Sequence, residues 1–166
     1  MACGADPTAM PLGVEVGLDP IAGMLGLAQS RGVAVARGVA EALPFADRSL
    51  DYGLMVAALS FLDDPAAGLR EARRVLRPGG ELVIGFIDCD APCGRAYLER
   101  QGESPFFQGA GFLGAAEVAR LLANADFREC GWVQTLFSPP EALTRIDALR
   151  PGRGAGAFAL VRAARG

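Results

Sequence analysis

Two nearly uninterrupted apolar runs, Leu50 to Leu59 and Leu82 to Ile87, bracket a segment with helical spacing. Runs this continuous suit strands covered on both faces within a parallel sheet. They are far too short to span a bilayer. Between them Asp64-Pro65 opens a helix, with Ala66, Leu69, Ala72, Arg73 and Leu76 in one stripe and Arg70, Glu71 and Arg74 outside it. Pro78-Gly79-Gly80 is expected to stop that helix. Strand, helix and strand in this order call for a right-handed crossover and an α/β domain. The 166 residues, 51% of them hydrophobic, supply one real core and not two, so a single domain spanning 1–166 is expected.

The alternation extends upstream. Gly13 to Leu18 reads as a strand, Pro20 to Ser30 as a helix through Ile21, Met24, Leu25 and Ala28, and Val33 to Val39 as another strand. Asp19 falls where the first of these strands ends. A carboxylate at the C-terminal end of a parallel strand can accept hydrogen bonds from two adjacent ribose hydroxyls. It can equally cap the following helix, with Pro20 at its first position. Past Asp88 the sequence turns rich in Gly, Pro, Cys and aromatics. A helix is expected around Arg95 to Arg100, an amphipathic helix over Ala115 to Ala125, and a strand over Trp132 to Phe137. A short helix within Pro139 to Leu149 and a last strand over Ala157 to Arg162 complete the pattern, which makes the sheet mixed.

Charge and composition exclude several chemistries. The 16 basic residues, all arginine, are scattered among 19 acidic ones, so binding to a nucleic-acid backbone is not expected. With no histidine, Ser-His and Cys-His nucleophile pairs are absent. Cys3, Cys89, Cys93 and Cys130 do not make a metal pattern; no metal is expected, and reduced cysteines in a cytoplasmic protein fit better. Neither a signal peptide nor a membrane span is expected.

Four motifs occur in order: Gly17-Leu18-Asp19-Pro20 with Met24-Leu25; Gly38 to Phe45; Ser49-Leu50-Asp51; and Arg74 to Gly80. Together they resemble the class I S-adenosylmethionine-dependent methyltransferases, in the branch acting on small molecules that includes ubiquinone- and menaquinone-biosynthesis-type enzymes. The resemblance implies a Rossmann-like, doubly wound, mostly parallel sheet with an antiparallel C-terminal strand. It implies S-adenosylmethionine as cofactor. Asp19 would hold the ribose, Pro20 and Met24 would flank the adenine, and Ala40 and Glu41 would form the turn that reads the adenine edge. The family often carries Asp where this chain has Val39. Ala57 and Ala58, ending the fourth strand, would leave room at the sulfonium. Residues 88–114, with Tyr97, Phe106, Phe107 and Phe112, would form a lid on the acceptor side. Asp88 and Tyr97 are the available general bases there; neither is assigned as catalytic.

The family's glycine-rich loop should fall at Ala2-Cys3-Gly4-Ala5-Asp6, of which Gly4 is the remaining cofactor-side glycine. The first strand, central in this fold, is expected to be lacking. A truncated chain, a degenerate relative, or a gap filled by strand exchange with a second copy in a homodimer would each account for that. Methyl transfer to a small-molecule acceptor is the leading function. The alternative is a non-catalytic binding domain on the same fold. A nicotinamide dehydrogenase is disfavoured by the missing glycine fingerprint and the absence of lysine.

Overall fold

The computed structural model describes residues 2–3, 13–99, 102, 108–138, 142 and 147–166. Gly4, Phe106, Phe107 and the helix expected at Pro139-Pro140-Glu141 lie outside the described residues. Among the described residues, eight strands form one sheet: β1 (Ala2–Cys3), β2 (Val16–Asp19), β3 (Ala34–Arg37), β4 (Leu50–Val56), β5 (Leu76–Ile87), β6 (Phe127–Thr135), β7 (Arg150–Pro151) and β8 (Phe158–Arg165). Their order is β3-β2-β1-β4-β5-β8-β6-β7. The first five pair in parallel, whereas β8 runs antiparallel to both β5 and β6. The mixed, mostly parallel sheet expected from the sequence is therefore present. Its central position, expected to lack a strand, holds a two-residue one. Ala2 and Cys3 lie beside Gly17 and Leu18 on one side and Leu54 and Met55 on the other.

Helices α1 (Ala22–Ser30), α2 (Pro65–Val75), α3 (Pro92–Glu99) and α4 (Ala115–Asn124) connect the strands. The main core lies where α2 and α4 cover one face of β4, β5 and β8. Leu69 and Ala72 of α2 and Val118 and Leu122 of α4 pack with Met55, Leu82, Ile84, Phe86, Ala159 and Val161. Alternation along a strand then turns Leu54, Val56 and Val83 to the opposite face. The chain moves outward from β2 to β3 but in the other direction from β4 to β5. Right-handed crossovers in opposite directions put α1 and α2 on opposite faces.

Several element boundaries differ from the sequence reading, and three of them have a local reason. Asp64 caps α2 as expected, its Oδ1 accepting from Ala67 N at 2.9 Å. But α2 ends at Val75 because Leu76 is already extended (φ −71°, ψ 145°). Leu76 pairs with Leu50, and a register shift between Leu50 and Tyr52 takes up the extra chain. Pro78-Gly79-Gly80 thus lies within an irregular start of β5 instead of stopping the helix. β4 ends at Val56 because Ala57 turns left-handed (φ 56°). β6 begins at Phe127, five residues before the expected Trp132, because Phe127 already pairs with Arg165 of β8.

Arg74 fastens α2 to the loop that follows β3. Its guanidinium donates to the carbonyls of Leu43 and Phe45 at 2.9 Å each, and to Glu71 and Asp47. Glu71 in turn accepts from Leu43 N at 2.8 Å. The hydrogen bond from Arg74, with a further one from Leu43, holds the Glu71 carboxyl below its ordinary value of 4.5 against the opposing effect of burial. A carboxyl depressed in the folded state stabilises the protein above its ordinary value, and that contribution is lost as pH falls through the folded value. Glu71→Gln is therefore expected to cost roughly 1 kcal/mol near neutral pH. The difference from the parent in urea unfolding should shrink steadily below about pH 4.5.

Candidate functional site

Parallel strands present their C-terminal ends along one edge, where open α/β sheets bind ligands. Here that edge carries Asp19 from β2, Arg37 from β3, Ala57 after β4 and Asp88 after β5. Asp19 Oδ1 accepts from Ile21 N at 2.8 Å, which makes it the turn residue leading into α1. The capping role is thus realised by one oxygen, Oδ1. Arg37 Nε donates to the carbonyl of Pro20 at 3.1 Å, and Gly38 N to that of Asp19, so β3 braces the turn from its flank.

Exposed apolar side chains collect around this turn. Ile21 is 62% exposed, Met24 38% and Val39 44%. Pro20 is also exposed, whereas Ala40 is buried against the core beneath. Exposed apolar residues on either side of a half-buried carboxylate suit a planar, apolar ring attached to a diol. Glu41 has a different engagement. Its Oε1 accepts from Asp63 N at 2.9 Å and Asp64 N at 3.4 Å, ahead of α2. Its side chain ties the turn after β3 to the start of α2.

Ala57 is held by a 2.7 Å hydrogen bond from its N–H to the Gly85 carbonyl while its own φ is 56°. An alanine pays roughly 1–2 kcal/mol for this left-handed conformation. The turn that results carries the chain sharply off the sheet into a 3-10 turn at Leu59–Phe61, and Ala57 is exposed at the bend. Backbone held in a sparsely populated region recurs at binding sites. The sequence had singled out Ala57 for its small side chain; its strain was not legible there.

Of the segment 88–114, residues 88–99, 102 and 108–114 are described, and they are tied to the chain after β4 and β5 by backbone hydrogen bonds. Gly111 N donates to the Ser60 carbonyl at 2.6 Å, and Cys89 N to that of Leu113 at 3.3 Å. Asp88 is fully buried and its Oδ1 accepts from Ala115 N at 2.9 Å, capping α4 from a distant point in the chain. Gly94 lets α3 approach the end of β5, because a Cβ there would collide with the Asp88 carbonyl oxygen. Burial and then the charges of Asp90 and Asp88 push the Cys89 thiol up, which keeps it protonated. Burial likewise raises Tyr97. Asp88 is thus built into the scaffold, a role its position in the sequence did not reveal. Among the described residues, no three His, Cys, Asp or Glu side chains come together to hold a metal ion. No described helix is long and apolar enough to cross a membrane.

Comparison with known proteins bears on this edge. A family model described as "Methyltransferase domain" matches residues 1–84. A crystal structure from Thermotoga maritima, described as an S-adenosylmethionine-dependent methyltransferase and possible histamine N-methyltransferase, is 38% identical with a TM-score of 0.93. The match covers 99% of this chain and 81% of that one. An uncharacterized protein of Mycobacterium tuberculosis is 44% identical over 88% of this chain, and the chain spans about half (52%) of its length. A demethylmenaquinone methyltransferase of Mycobacterium is 40% identical over 82 residues, covering 49% of this chain and 35% of the enzyme.

Ala57→Gly should relieve the left-handed strain. The expected outcome is a gain of roughly 0.5–1 kcal/mol in urea unfolding, with the fold unchanged by circular dichroism.

Proposed function

This chain belongs to the methyltransferase-domain family of class I S-adenosylmethionine-dependent methyltransferases, and on that premise we propose that it transfers a methyl group from S-adenosylmethionine to a small-molecule acceptor. The observation that carries the reading is the edge itself: a half-buried carboxylate with one oxygen fixed, exposed apolar residues around it, and a strained small residue on the next parallel strand but one.

The residues present fit this cofactor. Asp19 Oδ2 would accept from the ribose hydroxyls, with Oδ1 held in place by Ile21 N. Pro20, Ile21 and Met24 would line one side of the adenine and Val39 the other. The backbone at Ala40 and Glu41 would meet the ring's polar edge, because the Glu41 carboxylate is committed to Asp63 and Asp64. Ala57 would keep the space beside the sulfonium clear. The bound cofactor would supply an electrophilic methyl group on that sulfonium. What remains for the protein is alignment and exclusion of water, which methyl displacement needs more than it needs an acid or base. The described parts of 88–114 would provide the dry side, with Tyr97 and Phe112 half-buried within it.

The test is calorimetric. S-adenosylhomocysteine should bind the purified chain, and Asp19→Ala should weaken that binding about 10- to 100-fold, the worth of hydrogen bonds to a charged group. Asp19→Asn should lie between. If the parent chain fails to bind, or Asp19→Ala binds as tightly as the parent, the reading is wrong. Binding with no methyl transfer to histamine or to a quinol-type acceptor panel would favour a non-catalytic domain.

A further inference from the structure

The chain passes from β2 to α1 through Asp19, Pro20 and Ile21. Proline has no N–H, so Ile21 N is the one backbone donor between Asp19 and Ala22. That amide and the Pro20 carbonyl belong to a single peptide unit, and a different side chain holds each of them. Asp19 Oδ1 accepts from Ile21 N at 2.8 Å, and Arg37 Nε donates to Pro20 O at 3.1 Å. A peptide unit is planar, so a grip on both ends of its dipole fixes its rotation. The guanidinium also polarises the peptide, which makes the Ile21 amide a stronger donor to Asp19.

The place of Arg37 on the sheet accounts for its reach. It is the register partner of Asp19 in the parallel pair of β2 and β3. A Cβ at Gly38 would lie 3.2 Å from Leu18 Cδ1 and 3.5 Å from Pro44 Cδ. Position 38 therefore faces inward, and the exposed Arg37 and Val39 on either side of it face out. Residues 20–30 carry no charged side chain, so α1 itself offers no cation for the Pro20 carbonyl. No side chain caps α1 at Ile21. Apart from the 3.4 Å bond from Gly38 N to Asp19 O, the turn is oriented by Asp19 and Arg37.

We propose that Arg37 is a positioning residue for ligand binding: it holds the Pro20 carbonyl and, through the Pro20–Ile21 peptide, sets the orientation of the Asp19 carboxylate. This assignment rests on the reading that Asp19 holds the ribose of the cofactor. It adds a residue of β3 to the machinery of a carboxylate carried by β2. Arg37 acts through the peptide, so its worth to a ligand depends on Asp19 being present.

Two measurements test the dependence, one with ligand and one without. In calorimetric titration with S-adenosylhomocysteine, Arg37→Met should weaken binding about 3- to 10-fold, the worth of a hydrogen bond from a charged donor. The same substitution made on top of Asp19→Ala should cost less than about twofold, because the two side chains act as one unit. Arg37→Lys, whose ammonium can also donate to a carbonyl, should recover most of the loss. In the ligand-free protein, hydrogen exchange at the Ile21 amide, followed by NMR, should quicken in Arg37→Met and return toward the parent in Arg37→Lys. Circular dichroism should be unchanged, since Arg37 is exposed. Should Arg37→Met not fold, Arg37→Gln, neutral and shorter, takes its place. A parent that does not bind S-adenosylhomocysteine overturns the cofactor reading and this assignment with it. The assignment alone falls if the parent binds and Arg37→Met binds equally well, if the loss persists in full beside Asp19→Ala, or if Ile21 exchange is the same in Arg37→Met as in the parent.

Discussion

The structure depends on one packed layer, the contact of α2 and α4 with a single face of β4, β5 and β8. Met55, Leu82, Ile84 and Phe86 from the parallel strands and Val161 from the antiparallel one are all fully buried there. This slab fixes where β4 and β5 end, so it fixes where Ala57 bends and where Asp88 can reach the first turn of α4. The C-terminal ends of the parallel strands form the upper rim of that slab, and the described irregular segments after β5 are tied to it by backbone hydrogen bonds.

The β2–β3 end of the edge is assembled differently. β2 and β3 are four residues each, and their own cluster is small, with Leu18 and Leu43 packed on Val75 of α2. Long polar contacts do much of the holding. Arg74 and Glu71 grip the backbone of residues 43–45, and Glu41 reaches the amides before α2. Charge-assisted hydrogen bonds to backbone thus substitute for apolar area where little is available.

Much of this was legible in the sequence, because period and punctuation report local physics. The apolar runs gave β4 and β5 as buried strands, Asp64-Pro65 gave the start of α2, and the Val118–Leu121–Leu122 stripe gave α4. Asp19 was legible as a turn and cap residue, and its Oδ1 makes that bond. What could not be read were relations between distant residues. The Glu41 side chain points to Asp63 and Asp64, Asp88 serves a helix that begins 27 residues later, and Ala57 is left-handed because Gly85 fixes its amide. The early start of β5 was hidden for a similar reason. A register shift against β4, not a propensity of Leu76 to Gly80, decides it.

Helix α2 does more than pack against the slab. Its last turn carries Val75 against Leu18 of β2 and Leu43, and Glu71 and Arg74 hold the backbone of residues 43–45. Through these contacts α2 acts as a strap laid from β4 and β5 across to the chain that follows β3. The strap fixes the distance between the Asp19 turn and the Ala57 bend, and so the span over which one ligand could bridge both.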